Sequence, residues 1–250
     1  MTVTAARSSL FRGILDRMRI VCAVAVLAVA NLLNNWLARS PGMYVVVCVT
    51  ATAVLLLIAR WDGLTWADLG LDAAGLRRGL RWGPVLVGVV LLVLLLLLAV
   101  PAGREAFDDS RAADLSVGQV LWVTLVRVPL GTVLLEETAF RGVLWAMLRR
   151  RHGTAWATAV SSLLFGLWHL LPSRGLNRSN AAVGSVFGDD PAGVAPTVAL
   201  AIAATAAAGV VLCELRRRSG SLLAPIALHW AVNSLGYVFA WAASRWWLDG

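Results

Sequence analysis

Two adjacent carboxylates and an arginine interrupt a strongly apolar stretch of the sequence. Glu136 and Glu137 follow an apolar run, and Arg141 comes four residues after Glu137. A charged side chain at the centre of a bilayer costs roughly 2.5–3.5 kcal/mol on insertion scales. Residues four apart share a helix face, so Glu137 and Arg141 are predicted to pair. Glu136 points about 100° away and is free of that pair. Taken alone, the three charges fit a structural polar cluster equally well.

A histidine in the next apolar segment favours chemistry over structure. Glu136 lies 17 residues before Gly153, and His169 lies 16 residues after it. If the chain turns tightly near Gly153, both side chains reach the same depth, roughly 25 Å from the turn at the α-helical rise. A carboxylate that faces an imidazole can hold a water molecule and accept its proton, which general-base attack on a carbonyl requires. The alternative is a histidine that packs against a backbone carbonyl.

The last apolar segment carries a second histidine and an asparagine. His229 and Asn233 are four residues apart, so their side chains project from one helix face. Two hydrogen-bond donors side by side suit the oxyanion of a tetrahedral intermediate. The alternative is a polar clamp between helices, worth roughly 0.6–2 kcal/mol. Pro225 is expected to bend this helix, which leaves the depth of His229 open.

The elements that hold these residues are predicted to be membrane-spanning helices. The chain is 59% hydrophobic, with a mean hydropathy of +0.77, and a spanning helix needs about 20 apolar residues. Seven stretches qualify: Ile20–Ala38, Met43–Ala59, Gly83–Pro101, Val117–Leu148, Thr154–Leu171, Val194–Leu215 and Leu222–Trp247. We therefore predict an all-α polytopic membrane protein with about seven transmembrane helices. Residues 1–250 form a single integral membrane domain, with N-terminal spans and a connector in 1–116 and the functional core in 117–247.

The charge distribution predicts the orientation of the chain. The net charge of +8 comes from arginine without any lysine. Fourteen arginines flank alternate connections, namely Arg7, Arg12, Arg17, Arg19, Arg60, Arg77, Arg78, Arg81, Arg149, Arg150, Arg151, Arg216, Arg217 and Arg218. Six lie on the other side, namely Arg39, Arg104, Arg111, Arg174, Arg178 and Arg245. The positive-inside rule then places the N-terminus in the cytoplasm. These basic runs serve as topology anchors, and no nucleic-acid partner is expected.

Two connections have patterns of their own. Thr65 and Asp68 resemble a helix N-terminal cap, and Asp72 is placed to begin a second short helix. We predict a short amphipathic helix on the inner membrane surface ahead of the third span. The loop Pro172–Pro191 is interpreted as a solvated connector, with a mobile lid as the alternative.

The three polar segments resemble the motifs of a known family. Glu136-Glu137-x-x-x-Arg141, Phe165-x-x-x-His169 and His229-x-x-x-Asn233 are similar, in this order, to the three motifs of the CPBP intramembrane proteases. That group includes the CAAX prenyl endopeptidases and the bacteriocin-processing or immunity-type Abi proteins. The resemblance covers about Val117 to Ala240, together with the connector Trp66–Trp82. It implies a helical peptidase in which Glu136 and His169 activate water. His229 and Asn233 would stabilise the oxyanion, and Glu137 and Arg141 would support Glu136.

The implied function is cleavage of a peptide bond in a membrane-anchored protein or peptide, in the cell membrane of a bacterium. Two alternatives stay open: a non-catalytic immunity or scaffold protein of the same fold, and a small transporter or proton relay that uses Glu136 and His169. The sequence has no His-Glu-x-x-His segment. Zinc bound by Glu136, His169 and His229 is a further alternative. We favour a site without a cofactor, because a metal would occupy the carboxylate that serves as base.

Overall fold

The computed structural model describes the backbone of residues 3–38 and 40–248. The predicted anchors Arg7, Arg12 and Arg39 lie outside the residues whose side chains are described. Within the described chain, eight helices carry the architecture: α1 Val3–Leu32, α2 Pro41–Trp61, α3 Trp66–Leu69, α4 Ala73–Ala99, α5 Val117–His152, α6 Thr154–Trp168, α7 Val194–Ser219 and α8 Leu223–Ala243. Short helical turns lie between or after them: Leu33–Leu37, Pro101–Arg104, Glu105–Phe107, Ser110–Ala113, Leu176–Ser179, Ala181–Phe187, Pro191–Gly193 and Ser244–Leu248.

The predicted class, a polytopic helical membrane protein, is confirmed. Across the described ranges, six helical segments are long and apolar enough to cross a bilayer: Arg17–Leu37, Pro41–Trp61, Trp66–Ala99, Val117–His152, Pro191–Ser219 and Leu223–Trp246. The other predicted span, Thr154–Leu171, is the apolar helix α6, which has only 15 residues. A full crossing takes about 20 residues, so α6 is short for a span. The cytoplasmic position of the N-terminus stays a prediction.

The connector before the third span is organised by caps, as the sequence indicates. Thr65 and Asp68 cap each other's backbone N–H groups at the start of α3, and Asp72 accepts from the Gly75 N–H at the start of α4. The structure differs from the prediction in one respect: α4 runs unbroken from Ala73 to Ala99. The amphipathic stretch and the third span are thus one helix. Arg78, near the start of this helix, donates to the Ser219 carbonyl at the end of α7 at 2.8 Å and so attaches the first turns of α4 to α7.

The glutamate-bearing helix α5 is wound unusually. It is α-helical at Val117–Trp122, Leu134–Glu136 and Trp145–His152, and it has wider i→i+5 turns at Val123–Val133 and Glu137–Leu144. Pro129 lies inside the first wide segment and has no N–H to continue the α-helical pattern. The Leu134 N–H bonds to the Pro129 carbonyl, five residues back. Wide turns of this kind are rare and concentrate at functional sites.

Helices α5 and α6 form the predicted antiparallel hairpin. Gly153 connects them with φ +82°, a conformation that favours glycine. The Trp145 indole N–H donates to the Thr158 hydroxyl at 3.2 Å, and the Ser161 hydroxyl donates to the Phe140 carbonyl at 2.6 Å. These contacts bring the second half of α5 alongside α6 as far as the glutamate pair.

We call the end of the molecule that carries the arginine-rich connections its inner end and the opposite end its outer end, after the predicted orientation. The inner end holds a buried acid among arginines. The Asp62 side chain is fully buried, and it forms ion pairs with Arg150, Arg151 and Arg19, the last at 3.6 Å. Arg150 also donates to the Asp62 carbonyl at 2.7 Å. These arginines, predicted as topology anchors, therefore make specific contacts with the turn that follows α2.

A second inner contact joins the connector to α7. Arg216 is buried and donates to the Asp68 carbonyl at 2.8 Å. Its guanidinium lies over the Trp145 ring, with 5.5 Å between the Cζ atom and the ring centre. Gly70 has φ +71°, and a Cβ atom there would lie 2.6 Å from Cζ of Arg216. A side chain at this position would be strained by the positive φ and would displace the Arg216 guanidinium, so glycine is favoured here.

The outer connections pack on one another. Ala181 donates its N–H to the Asp108 carbonyl at 3.0 Å, and the Asn180 amide donates to the Ala106 carbonyl at 3.2 Å. The loop interpreted as a connector thus consists largely of helical turns held against the segment that follows α4.

Candidate active site

The predicted ion pair forms, and it includes a histidine from the last helix. Glu137 and Arg141 are both fully buried, and Arg141 Nη1 lies 3.0 Å from Glu137 Oε1. The same oxygen lies 2.7 Å from His229 Nδ1. The Arg141 guanidinium also covers the Phe165 ring, with Cζ 3.9 Å from the ring centre, a favourable cation–π distance. One cluster therefore joins α5, α6 and α8.

Helix α8 is positioned for this contact by bonds to the outer half of α5. The Trp230 indole and the Ser234 hydroxyl both donate to the Thr124 carbonyl, at 3.1 and 3.0 Å. Pro225 lies in the first turn of α8, where a missing N–H breaks no helical hydrogen bond, so the bend anticipated from its presence has no cause there. His229 thus reaches Glu137 from a helix whose first turn accommodates proline.

Glu136, like Glu137, has one oxygen bound and one buried oxygen without a partner among the described residues, but its bound oxygen contacts a tryptophan and not an arginine. Glu136 is 3% exposed, and its Oε1 accepts a hydrogen bond from the Trp168 indole N–H at 2.9 Å. Its Oε2 is buried and has no hydrogen-bond partner among the residues that the structure describes. That oxygen lies 3.8 Å from His229 Nε2, too far for a direct hydrogen bond but suited to a bridging water molecule. One oxygen of Glu136 is fixed and the other is available.

The contacts of His229 assign roles to its two nitrogens. An ionised carboxylate only accepts hydrogen bonds, so Nδ1 carries the proton that is donated to Glu137. Nε2 then faces the open oxygen of Glu136. Glu136, Glu137 and Arg141 together carry one net negative charge when ionised, and a proton on Nε2 makes the buried cluster neutral. Neutrality lowers the cost of keeping these charges out of water.

His169 lies beside this cluster without joining it. It follows the last residue of α6, and its Nδ1 lies 2.8 Å from the Phe165 carbonyl. A carbonyl only accepts, so Nδ1 carries the proton and Nε2 is left as an acceptor. The ring packs against Phe165 at 4.8 Å between centres, and the His229 ring packs against the same Phe165 at 6.0 Å. Phe165 thus separates and aligns the two imidazoles.

The predicted direct contact between Glu136 and His169 is not formed in the described residues. The depth match itself is sound, because Trp168, the neighbour of His169, reaches Glu136. Helix α6 ends at Trp168, and His169 turns back to cap the Phe165 carbonyl. The residue that faces Glu136 at this depth is therefore a tryptophan.

Asn233 lies one turn after His229 on α8 and is half-buried. Its side chain makes no hydrogen bond within the described chain. An amide in this position keeps its donors for a group that enters the site.

Sequence reasoning missed two residues of the site. Trp168 holds Glu136, and Asn31 of α1 holds Trp168 by donating to its carbonyl at 2.8 Å. Asn31 is buried, with 8% of its surface exposed. Both had a signal in the sequence: Trp168 precedes a motif histidine, and Asn31 is an amide within an apolar span. Polar groups at bilayer depth are expensive, and that cost marks them as partnered or functional.

The zinc alternative can be compared with this geometry. Among the described residues, no group of three or more His, Cys, Asp or Glu side chains has the arrangement of a metal site. Of the three ligands considered, His169 has its Nδ1 engaged by the Phe165 carbonyl. Glu136 and His229 lie next to each other, and His169 does not join them.

Comparison with known proteins agrees with the motifs. Residues 118–235 match the family model described as type II CAAX prenyl endopeptidase Rce1-like. Residues 118–235, slightly less than half of the chain, are thus similar to the Rce1-like family. The matched segment contains all three motifs, and the predicted resemblance to the CPBP group is confirmed. The Rce1-like segment has the fold of an intramembrane peptidase of the CAAX-protease type, within a multi-pass membrane protein.

The chain also resembles a protein whose function is not described. The chain is 33% identical over 157 residues to a protein of Escherichia coli described as "Uncharacterized 24.3 kDa protein". The similarity covers 62% of this chain and 59% of the length of that relative. No solved structure matches.

Proposed function

We propose that this protein is an intramembrane endopeptidase that hydrolyses a peptide bond in a membrane-associated protein or peptide. The observation that supports it most is the state of Glu136. A buried carboxylate whose one oxygen is fixed by Trp168, while the other is unpartnered and 3.8 Å from His229 Nε2, is arranged to bind water. Glu137 Oε2 is unpartnered as well, but the charge of Glu137 is balanced through its other oxygen by Arg141 and His229. Glu136 is therefore the carboxylate of the pair that is available to act as a base.

In the proposed reaction, Glu136 acts as the general base. Its Oε2 accepts a proton from a bound water molecule, and the hydroxide adds to the carbonyl carbon of the scissile bond. The part predicted for His169 in activating water stays a prediction, because its ring packs against Phe165 and, within the described chain, makes no contact with Glu136. The proton on Glu136 then passes to the amide nitrogen as the C–N bond breaks. The products are a carboxylate and an amine, and no redox partner or cofactor is consumed.

The oxyanion of the tetrahedral intermediate is assigned to α8. His229 Nε2–H and the Asn233 amide are the proposed donors, and removal of one oxyanion donor lowers kcat by about 10²–10³-fold in a well-studied serine protease. Glu137 and Arg141 hold the His229 ring by the bond at 2.7 Å and the ion pair at 3.0 Å. In this proposal Trp168 supports Glu136, while Glu137 and Arg141 support His229.

The test compares the peptide termini of membrane proteins in cells that produce either wild-type protein or Glu136→Gln. The proposal expects a set of cleaved termini that is present with wild type and lost with Glu136→Gln. Glu214→Gln is the matched control, because Glu214 pairs with Arg217 and Arg218 at the partly exposed inner end of α7. It should retain the wild-type set. An unchanged set of termini in Glu136→Gln would reject catalysis and favour the scaffold alternative.

A further inference from the structure

Two arginines near the start of α4 are not used within the fold. Arg77 and Arg81 lie in the first turns of this helix, and both are exposed. Neither has a hydrogen bond or an ion pair with any residue that the structure describes. Arg78, which lies between them, instead donates to the carbonyls of Ser219 and Gly220, at 2.8 and 3.0 Å. Only Arg78 is therefore attached to the protein, and the two arginines on either side of it remain available to a ligand.

Glycines on the opposite face of α4 determine where the two arginines point. A Cβ atom at Gly79 would overlap Cβ of Leu223, and a Cβ atom at Gly83 would lie 3.5 Å from Cβ of Ala227. The glycine face of α4 is therefore packed against α8. Arg81 is two residues from each glycine, which is about 200° around the helix. The other arginine, one turn earlier, shares its face. Both side chains thus point away from the protein.

The arginine face of α4 continues as an exposed aliphatic stripe. Val85, Val89, Leu92 and Leu96 follow Arg81 at helical spacing and are 63%, 52%, 57% and 58% exposed. From the first to the last of them the helix rises about 16 Å. That length is close to half of the roughly 30 Å hydrocarbon layer. One face of α4 therefore joins two unpaired cations to an apolar stripe that is about one leaflet long.

The position of the two arginines indicates which anion they meet. Trp82 follows Arg81 and is 40% exposed, and tryptophan is enriched at the membrane–water interface. The phosphates of lipid headgroups lie at this depth, and guanidinium groups bind phosphate through paired, charge-assisted hydrogen bonds. The Cβ atoms of residues four apart on a helix are about 5–6 Å apart, so Arg77 and Arg81 can reach one phosphate together. A zwitterionic headgroup also brings its own cation to the same arginines, whereas an anionic headgroup does not.

We propose that Arg77 and Arg81 bind the phosphate of an anionic phospholipid in the leaflet at the inner end, with the acyl chains of that lipid along the aliphatic stripe of α4. The bound lipid fixes the depth of the connector and of the first turns of α4. This inference is independent of the proposed peptidase function, because it concerns a face of the protein that points away from α8 and from Glu136.

The test compares two lipids that differ only in their headgroups. The purified protein in a non-ionic detergent is titrated with phosphatidylglycerol or phosphatidylcholine of the same acyl chains, and bound lipid is counted by native mass spectrometry. We expect wild type to prefer phosphatidylglycerol. Arg77→Gln and Arg81→Gln should each lower its affinity by about fivefold, and together by about 25-fold, with little effect on phosphatidylcholine. Lysine at both positions should keep part of the preference, because a point charge replaces the planar fork.

The matched control is the double variant Arg217→Gln/Arg218→Gln. It removes the same number of arginines from the inner end, but both of these are already paired with Glu214, at 2.7 and 2.6 Å. It should keep most of the affinity for phosphatidylglycerol. An equal loss in the two double variants would show that diffuse surface charge attracts the lipid, and would overturn the assignment to Arg77 and Arg81.

Two further outcomes would overturn the proposal. The first is equal binding of both lipids to wild type, which needs no variant to fold. The second is an unchanged preference in Arg77→Gln/Arg81→Gln, whose unfolding temperature in lipid-free detergent should match wild type because neither arginine is bonded within the described chain. Glycerophosphoglycerol, the headgroup without acyl chains, should compete weakly at matched ionic strength. Complete displacement of the lipid by this headgroup would assign the site to a free phosphate and contradict the role of the stripe.

Discussion

Asp62 at the inner end of the molecule and Glu136 near the middle of α5 are both buried carboxylates, but their surroundings differ. Both oxygens of Asp62 are engaged by arginines, from α1 and from the end of α5. Glu136 has one oxygen on Trp168 and one without a partner among the described residues. An acid whose bonding capacity is filled serves to hold helices together. An acid with spare capacity in a buried site is available to water or substrate.

The same contrast applies to the arginines. Arg216 and Arg150 end on backbone carbonyls of the connector, so their charges are used within the fold. Arg127 lies over the Tyr44 ring and has no ion pair among the described residues.

The largest expected effect is the loss of catalysis on substitution of Glu136, the carboxylate with an unpartnered oxygen. Glu136→Gln should lower the cleavage rate by about 10²–10⁴-fold, because the general base is lost. Its unfolding temperature should stay near that of wild type, because the glutamine carbonyl still accepts from Trp168. The rate is measured on a substrate found by the comparison of termini, and unfolding by tryptophan fluorescence. Full activity in this variant would break the contrast between the two acids.

Substitution of Asp62, whose two oxygens are both paired with arginines, should lower stability and leave catalysis unchanged. Asp62→Ala leaves the partly exposed Arg150 and Arg151 without their carboxylate, and we expect a loss of about 1.5–3 kcal/mol, the range for hydrogen bonds to charged groups. Denaturant unfolding in detergent measures the loss. The cleavage rate per folded molecule should remain within about twofold of wild type, and a selective loss of rate without loss of stability would contradict this assignment.

A smaller effect on catalysis is expected when Trp168, which holds Glu136 by a hydrogen bond, is substituted. Trp168→Phe keeps the ring but removes the hydrogen bond to Glu136, and such bonds to charged groups are worth about 1.5–3 kcal/mol. We expect kcat to fall by about 10–100-fold with little change in KM, because the bond positions the base. Phe140→Leu, which loses a ring contact to Trp168 but no hydrogen bond, is the comparison. An equal fall in kcat for both variants would assign Trp168 a packing role only.

A comparison of alanine substitutions at Gly63 and Gly70 distinguishes the cost of backbone strain from the cost of steric crowding. Gly70→Ala should destabilise the protein by about 1–3 kcal/mol, because the new Cβ atom meets the Arg216 guanidinium at 2.6 Å and φ is +71°. Gly63→Ala has a similar φ of +77° and open space around it, so it reports the strain alone. The difference between the two unfolding free energies measures the Arg216 contact, and equal values would show that this contact is unimportant.

The smallest expected effect is that of metal removal. We predict that exhaustive dialysis against EDTA and phenanthroline leaves the cleavage rate unchanged, because Glu136 acts directly on water in the proposed mechanism. Loss of activity that zinc restores would instead support the ligand set Glu136, His169 and His229.

Local features of the structure followed from the sequence. The pair of Glu137 and Arg141, the caps at Thr65 and Asp72, and the turn at Gly153 each depend on residues a few positions apart. Helical spacing and the conformational freedom of glycine suffice to predict such contacts. The membrane class depends only on the length and hydropathy of the segments. The same three motifs indicated the family to which residues 118–235 are similar.

The partners across helices were decided by the tertiary structure. The contact of Glu136 with Trp168, and not with His169, depends on where α6 ends. The contact of Glu137 with His229 depends on how α8 is rotated about its axis. The i→i+5 winding of Val123–Val133 and Glu137–Leu144 was likewise not predicted from the sequence. A prediction from sequence periodicity assumes that every residue adds the same rotation about the helix axis, about 100° in an α-helix. The rotation of a helix about its axis is set by packing against helices distant in the chain, and no local pattern contains that information.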